Sequence, residues 1–190
     1  ELFLCANMIN FSQLPPYFKM ILESIGECQS VLDIGTGKGI LPAVIKKAYP
    51  LIEVVGCDYD VESLILSREL AHKNELDIQF DYADITGILP YGDKSFDVVT
   101  CAAVLMMLNE KDCLNTINNI KRLAKKKIIL AELNILDLNY RELNFFGIIG
   151  RWGRNYGKFF YNHRPKIRPI PNWPGESYNI NGSLIEIDYD

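Results

Sequence analysis

The chain has 190 residues, enough for one well-buried α/β domain and too few for two. Hydrophobic residues make up 48% and charged residues 23%, the balance of a globular protein, which excludes a disordered tail, a collagen-like repeat and a coiled coil. A formal net charge of -4 excludes a surface that grips nucleic acid everywhere, although a local basic patch fits within it. In chain order, Pro15 and Pro16 open a leading helix predicted over 14–26. Short runs rich in Val, Ile, Leu and aromatics then predict strands over 31–34, 52–57, 78–82, 96–101 and 128–133. Amphipathic spacing predicts helices over 40–48, 61–73 and 111–124 between them. Such alternation is the signature of an open parallel α/β sheet with helices on both faces, since parallel neighbours need a right-handed crossover. From 135 onward the composition shifts to Arg, Asn, Gly, Pro and aromatics. A helix is expected over 138–149, an extended edge segment over 165–170 and a last strand over 185–189, with turns at Gly175 and at Asn181-Gly182.

No repeat of period 20 to 50 is present, and no apolar window reaches the roughly 18 to 20 residues of a membrane span. Cys5, Cys28, Cys57, Cys101 and Cys113 form no CxxC pair and are odd in number, which points to a reducing, cytoplasmic location with each thiol packed as a small hydrophobe. The first residues, without a methionine, lack the pattern of a signal peptide and read as a trimmed start.

The most informative segment is Val31-Leu32-Asp33-Ile34-Gly35-Thr36-Gly37-Lys38-Gly39, a strand running into a glycine-rich turn and then a helix. Residues without Cβ take positive φ, let a ligand approach the backbone and lead into a helix N-terminus with unpaired N–H groups. A phosphate-binding loop would need Ser or Thr after Gly37-Lys38, where Gly39 stands; a dinucleotide fingerprint would need Gly where Ile40 stands. What remains is D-x-G-x-G-x-G.

That pattern resembles the first motif of the class I S-adenosylmethionine-dependent methyltransferases of the small-molecule type, and further landmarks follow in the family's order. The second strand ends in Val54-Val55-Gly56-Cys57-Asp58-Tyr59, with Asp58 lying 23 residues past Gly35. The third is followed by Asp81-Tyr82-Ala83-Asp84-Ile85, and Ser95-Phe96-Asp97 leads into the fourth. The resemblance covers 30–134. It implies a Rossmann-like α/β fold with a seven-stranded, mostly parallel sheet. It also implies S-adenosyl-L-methionine as cofactor, with S-adenosyl-L-homocysteine as product. By position, Asp58 would accept the ribose hydroxyls, Tyr59 would lie against adenine, and Asp84 with the Ile85 backbone would meet the adenine edge. Gly35, Thr36, Gly37 and Gly39 would form the loop, with Cys101 at the end of the fourth strand completing the set. Asp33 would tie down the loop or reach the cofactor's amino group, two roles left open at this point. Read alone, Asp58 and Asp84 are also ordinary strand-end or capping carboxylates. The resemblance divides the single domain 1–190 into a leading helical segment 1–29, a cofactor-binding core 30–134, and a substrate-side and C-terminal strand region 135–190.

Methyl transfer from a sulfonium is an in-line displacement that asks the protein mainly for alignment, and a general base only where the acceptor must lose a proton. No catalytic residue is assigned and no metal is expected. His72 reads as an exposed helix residue, and His163 is a candidate for the substrate side. Many relatives carry a histidine where Met107 stands. The Asn/Asp-Pro-Pro-aromatic motif of nucleic-acid amino methylation is replaced by Cys101-Ala102-Ala103-Val104, so a small-molecule acceptor ranks first. The turn before the fifth strand, usually glycine-rich, reads Leu123-Ala124-Lys125-Lys126-Lys127 and is expected to be a polar connection. Residues 141–175 carry seven basic groups against Glu142, a local +6 that leaves -10 elsewhere. With Trp152, Tyr156, Phe159, Phe160, Tyr161 and Trp173 among them, they read either as core plus a solvated face or as a patch for an anionic or aromatic substrate. RNA methylation of the tRNA type, guided by that segment, ranks second, and a non-catalytic binding protein third. No membrane partner is expected, and the oligomeric state is left open.

Overall fold

The computed structural model describes residues 14–135, 143–145, 151–173 and 181–189. Pro16, at the first turn where a missing N–H costs nothing, opens α1 (Pro16–Ile25), which buries Phe18, Ile21 and Ile25. The β/α units then follow: β1 (Ser30–Ile34), α2 (Ile40–Ala48), β2 (Glu53–Asp58), α3 (Val61–Lys73), β3 (Gln79–Tyr82), β4 (Phe96–Ala102), α4 (Glu110–Leu123) and β5 (Ala124–Asn134). Side-chain caps start two of the helices: Asp60 accepts the Glu62 N–H ahead of α3, and Asn109 the Asp112 N–H ahead of α4. Beyond β5 come the short strands β6 (Leu143–Phe145) and β7 (Arg151–Gly153), a 3-10 segment (Tyr156–His163), β8 (Lys166–Pro169) and β9 (Asn181–Asp188).

The main sheet has seven strands in the order β3-β2-β1-β4-β5-β9-β8. Strands β1 to β5 run parallel, and β9 is antiparallel to both its neighbours, β5 and β8. Central parallel strands are covered on both faces and so read as continuous apolar runs. On one face α1 and α2 pack over Val31, Val54, Val98 and Ile129. On the other, α4 and the Tyr156–His163 segment pack over Leu32, Val99, Cys101 and Leu130. The strand order reverses between β1 and β4, and in open α/β sheets that switch opens a crevice beyond the strands' carboxyl ends.

Three expectations are corrected. Part of the helix expected over 138–149 is strand: Leu143–Phe145 pairs antiparallel with Arg151–Gly153, and the rest of that range lies outside the described residues. Asn181 and Gly182 form no turn but begin β9, paired with Asn134 and Leu133. The Cβ of any larger residue at Gly182 would fall 2.2 Å from the Trp173 ring, so this glycine serves close packing. The expected turn at Gly175 lies outside the described residues. Lys125, Lys126 and Lys127 are no connection either, because α4 passes directly into β5 at Ala124. Their ammonium groups find acids at the strand's amino end: Lys126 bonds Asp97 at 2.9 Å, and Lys127 sits 3.3 Å from Asp188. Asp97, the third residue of the Ser95-Phe96-Asp97 landmark, therefore works at the end of the sheet away from the switch. It is buried, accepts the Gln29 N–H at 2.8 Å, and its carboxyl is held below the usual range by that bond and by Lys126, against the opposing effect of burial.

Candidate functional site

β1 delivers the chain into a loop whose alternate residues are left-handed: φ is 72° at Gly35, 53° at Gly37 and 73° at Gly39. Only glycine takes that alternation without strain. Two bonds tie the loop to β2, since the Gly35 and Thr36 N–H groups both donate to the Cys57 carbonyl at 2.9 and 3.0 Å. The glycines also give room. A Cβ at Gly35 would lie 2.5 Å from Val104 Cγ2, and one at Gly39 would lie 2.6 Å from Ser67 Cβ and 2.9 Å from Phe80. Gly35 is thus where the loop meets the segment after β4, while Gly39 seats α2 against α3 and β3.

Asp58 ends β2 beside this loop. Its Oδ2 accepts the Gly37 N–H at 2.7 Å and its Oδ1 the Asp60 N–H at 3.0 Å. An ionised carboxylate has about four acceptor sites, so both oxygens retain capacity for ligand donors. One cleft of about 540 Å³ opens at the switch point, lined by Gly35, Asp58, Tyr59, Asp84 and Ile85 together with Ala103, Val104, Met107 and Leu108 from the segment after β4. Thr86 also lines the cleft, donating both its N–H and its hydroxyl to Asp84 Oδ1. Tyr59 is 66% exposed and offers a ring face at the mouth.

Five of the expected site residues therefore share one cleft: Gly35, Asp58, Tyr59, Asp84 and Ile85. Thr36, Gly37 and Gly39 shape the loop without lining that cleft. Cys101 is fully buried in the core, packed with Leu105 and Cys113, and its thiol pKa is driven well above the usual value by burial. The side chains that line the cleft from this side come two and more residues later, at Ala103, Val104, Met107 and Leu108. Sequence reasoning singled out Met107 only as a place where relatives carry a histidine and assigned none of the four to the site, because they form a turn that no periodicity marks. Ala103, a non-glycine at φ 59°, bends the chain there, with its N–H donating to the Ala131 carbonyl.

Asp33 lies below the loop, 3% exposed, accepting the Thr100 hydroxyl at 2.8 Å. Burial pushes its pKa from 3.8 to about 7, with the Thr100 and Thr36 hydroxyls pulling the other way and the Asp58 charge adding to the rise. The unfolded carboxyl releases its proton near 3.8, while the folded one holds it to about 7, so the folded state binds more protons between those values. Its contribution to stability is therefore lost as pH rises through that window. Glu132, raised from 4.5 to about 7, adds a second loss of the same sign. The melting temperature is expected to fall between about pH 4 and about pH 7, and Asp33→Asn to flatten that fall in thermal melts. An equally steep fall in the variant would sink this assignment.

Two fully buried charges hold the segment after β4. Glu132, on β5, accepts the Val104 and Leu105 N–H groups on Oε1, both at 2.9 Å, and the Met106 N–H on Oε2 at 3.1 Å. Arg154 donates to the Leu105 carbonyl at 3.0 Å and the Leu108 carbonyl at 2.8 Å. The one readable sign of Glu132 was a lone acid inside an apolar strand, a type almost never buried unless paired. His163 does not reach the cleft: its ring stands 4.5 Å from Tyr189, whose N–H donates to Lys126 at the opposite end of β5. His72 is exposed on the last turn of α3. Of the basic groups in the 151–168 stretch, Arg154 is buried, while Lys166 and Arg168 pair with Asp188 and Glu186. Of the aromatics, Tyr156, Phe160 and Trp173 complete the core and Tyr161 is exposed.

A reversed strand inserted beside β5, a glycine loop after β1 and an acid closing β2 define the class I S-adenosylmethionine-dependent methyltransferase fold. Residues 26–160 match the family described as methyltransferase domain, and the chain belongs to it. Over 148 residues it is 30% identical to the ubiquinone/menaquinone biosynthesis C-methyltransferase UbiE of Bdellovibrio bacteriovorus, covering 78% of this chain and 58% of that protein. It is 43% identical over 72 residues to the demethylmenaquinone methyltransferase of Deinococcus radiodurans, covering 38% and 30%. The chain thus spans well under two thirds of the length of these relatives. Among solved structures, geranyl diphosphate C-methyltransferase from Streptomyces coelicolor A3(2) superposes with a TM-score of 0.73 at 12% identity, covering 90% of this chain and 76% of that one, a likeness of fold.

Proposed function

We propose that the protein transfers a methyl group from S-adenosyl-L-methionine to a small, largely apolar acceptor. The observation that carries this reading is the joining of Asp58, the glycine loop and Asp84 around one cleft at the switch point of the sheet. The donor set fits the cofactor: carboxylate acceptors at Asp58 and Asp84 suit ribose hydroxyls and an adenine amino group. When bound, the cofactor supplies a sulfonium methyl already activated for displacement. Asp58 holds the loop through Gly37 and orients the ribose, Tyr59 covers the adenine, and Asp33, buried beneath the loop and bonded to Thr100, ties the loop down.

Ala103, Val104, Met107 and Leu108 give the same cleft an apolar lining, and this supports an apolar acceptor. The quinone methyltransferases among the relatives support an acceptor with a quinone-type ring, methylated at carbon. Such a ring in its reduced form is electron-rich at carbon: the C–methyl bond forms as the methyl–sulfur bond breaks, and the ring C–H proton then leaves to water, so alignment is the main demand on the protein. We read 1–29 as a leading segment, 30–134 as the cofactor half and 135–190 as the acceptor side of one domain. No described helix is long and apolar enough to cross a membrane. Four free thiols, at Cys28, Cys57, Cys101 and Cys113, support a cytoplasmic site of action. The test is calorimetric titration with S-adenosylhomocysteine, followed by transfer of labelled methyl to a reduced naphthoquinone. Binding with transfer supports the full reading. Binding without transfer overturns the quinone-type acceptor, and no binding overturns the cofactor assignment.

A further inference from the structure

Part of the cleft is carried by the sheet itself, through Gly35 in the loop after β1 and Asp58 at the end of β2. Another part is the turn 104–108, which contributes Val104, Met107 and Leu108 to the lining and includes the 3-10 segment Leu105–Met107. A three-residue 3-10 turn has little hydrogen bonding of its own, and Val104 ahead of it offers no side-chain cap. The groups that hold it are instead two opposite charges, Glu132 taking the N–H groups of residues 104–106 and Arg154 giving to the carbonyls of Leu105 and Leu108. Both are fully buried, at 0% and 1% exposure, where charge-assisted bonds are strongest and an unmet charge most costly.

Both charges also hang from the same strand. Glu132 belongs to β5, and the backbone of Arg154 is stitched to that strand's end: its N–H donates to Leu133 and its carbonyl accepts from Ile135. Arg154 at the same time leads into the Tyr156–His163 segment, where the Tyr156 N–H donates to Asn134 Oδ1 at 2.9 Å. Any shift of the acceptor-side segment therefore reaches the turn through the Arg154 guanidinium. The turn meets the glycine loop at Val104, which lies against the bare face of Gly35.

We propose that Glu132 and Arg154 are positioning residues for the cofactor: they set the distance between the turn 104–108 and the glycine loop, and Arg154 links that distance to the acceptor-side segment. This rests on the cofactor reading above. The experiment is calorimetric titration of S-adenosylhomocysteine into the wild type, Glu132→Gln, Arg154→Met, Arg154→Lys and, as a control for lost stability alone, Leu123→Ala, a core residue of α4 remote from the turn. Affinity is expected to fall roughly threefold to thirtyfold in Glu132→Gln and Arg154→Met, the range for coupling through residues that touch no ligand. Arg154→Lys is expected to recover part of the loss, and Leu123→Ala to bind like the wild type while melting lower. Unchanged affinity in folded Glu132→Gln and Arg154→Met, beside a wild type that binds, overturns the proposal and leaves the cofactor reading intact. A wild type that gives no heat overturns both. Should the two variants fail to fold, hydrogen exchange of the wild type decides. Added S-adenosylhomocysteine is expected to slow exchange at the Val104, Leu105 and Met106 amides, and no change there overturns the proposal.

Discussion

Asp58→Ala is expected to weaken S-adenosylhomocysteine binding by about 1.5 to 3 kcal/mol, the range for hydrogen bonds to a charged group, or roughly tenfold to 150-fold in Kd. Two losses add here. The variant removes the acceptor for the ligand's hydroxyls, and it frees the Gly37 and Asp60 N–H groups that Asp58 now holds at 2.7 and 3.0 Å. Asp58→Asn separates them, because an amide keeps one acceptor oxygen and places a donor where the other stood. Its loss is expected to be intermediate. Titration calorimetry on protein shown to be folded by circular dichroism measures all three, and an Asp58→Ala affinity equal to that of the wild type would remove Asp58 from the site.

The second large effect is expected at Gly35. Alanine there meets two separate costs, the left-handed φ of 72° and a Cβ placed 2.5 Å from Val104 Cγ2, each about 1 to 3 kcal/mol. Gly37→Ala provides the contrast, since its φ of 53° carries the first cost while nothing lies within 4 Å of its Cβ. Thermal melts are therefore expected to show a clearly larger drop for Gly35→Ala than for Gly37→Ala. Only the former also displaces Val104, which lines the same cleft as Asp58, so its cofactor affinity is expected to fall further. Equal drops in melting temperature for the two variants would show that the contact with Val104 is relaxed at no cost.

Much of the sheet was legible because central parallel strands are buried on both faces and so read as short, mostly apolar runs. The helices over 40–48 and 61–73 have the bounds expected from their spacing, and β1 to β4 differ from expectation by only a residue or so at their ends. The loop and Asp58 were legible for a related reason, since their roles depend on residue type at fixed backbone positions. What escaped depends on contacts distant in sequence. The lysines of β5 looked like a solvated link because their partners, Asp97 and Asp188, lie about 30 and 60 positions away. Asn181-Gly182 has the composition of a turn, yet pairing with β5 and the Trp173 ring over Gly182 hold it extended. The turn 104–108 was hidden because its caps are side chains from β5 and from the segment beyond it.

The place of β9 in the sheet has a consequence for biosynthesis. β5 is laid down by residue 134, but the neighbour that covers its open edge, β9, begins only at residue 181, after β8, and it enters between β5 and β8. Until residues 181–188 leave the ribosome, the inner strand of the finished sheet stands as an unpaired edge, with Ile128, Leu130 and Ala131 in its ladder open to pairing with other chains. The lysines at its start, Lys125 and Lys126, place charge on that edge during the wait, and in the folded protein the same groups close onto Asp97.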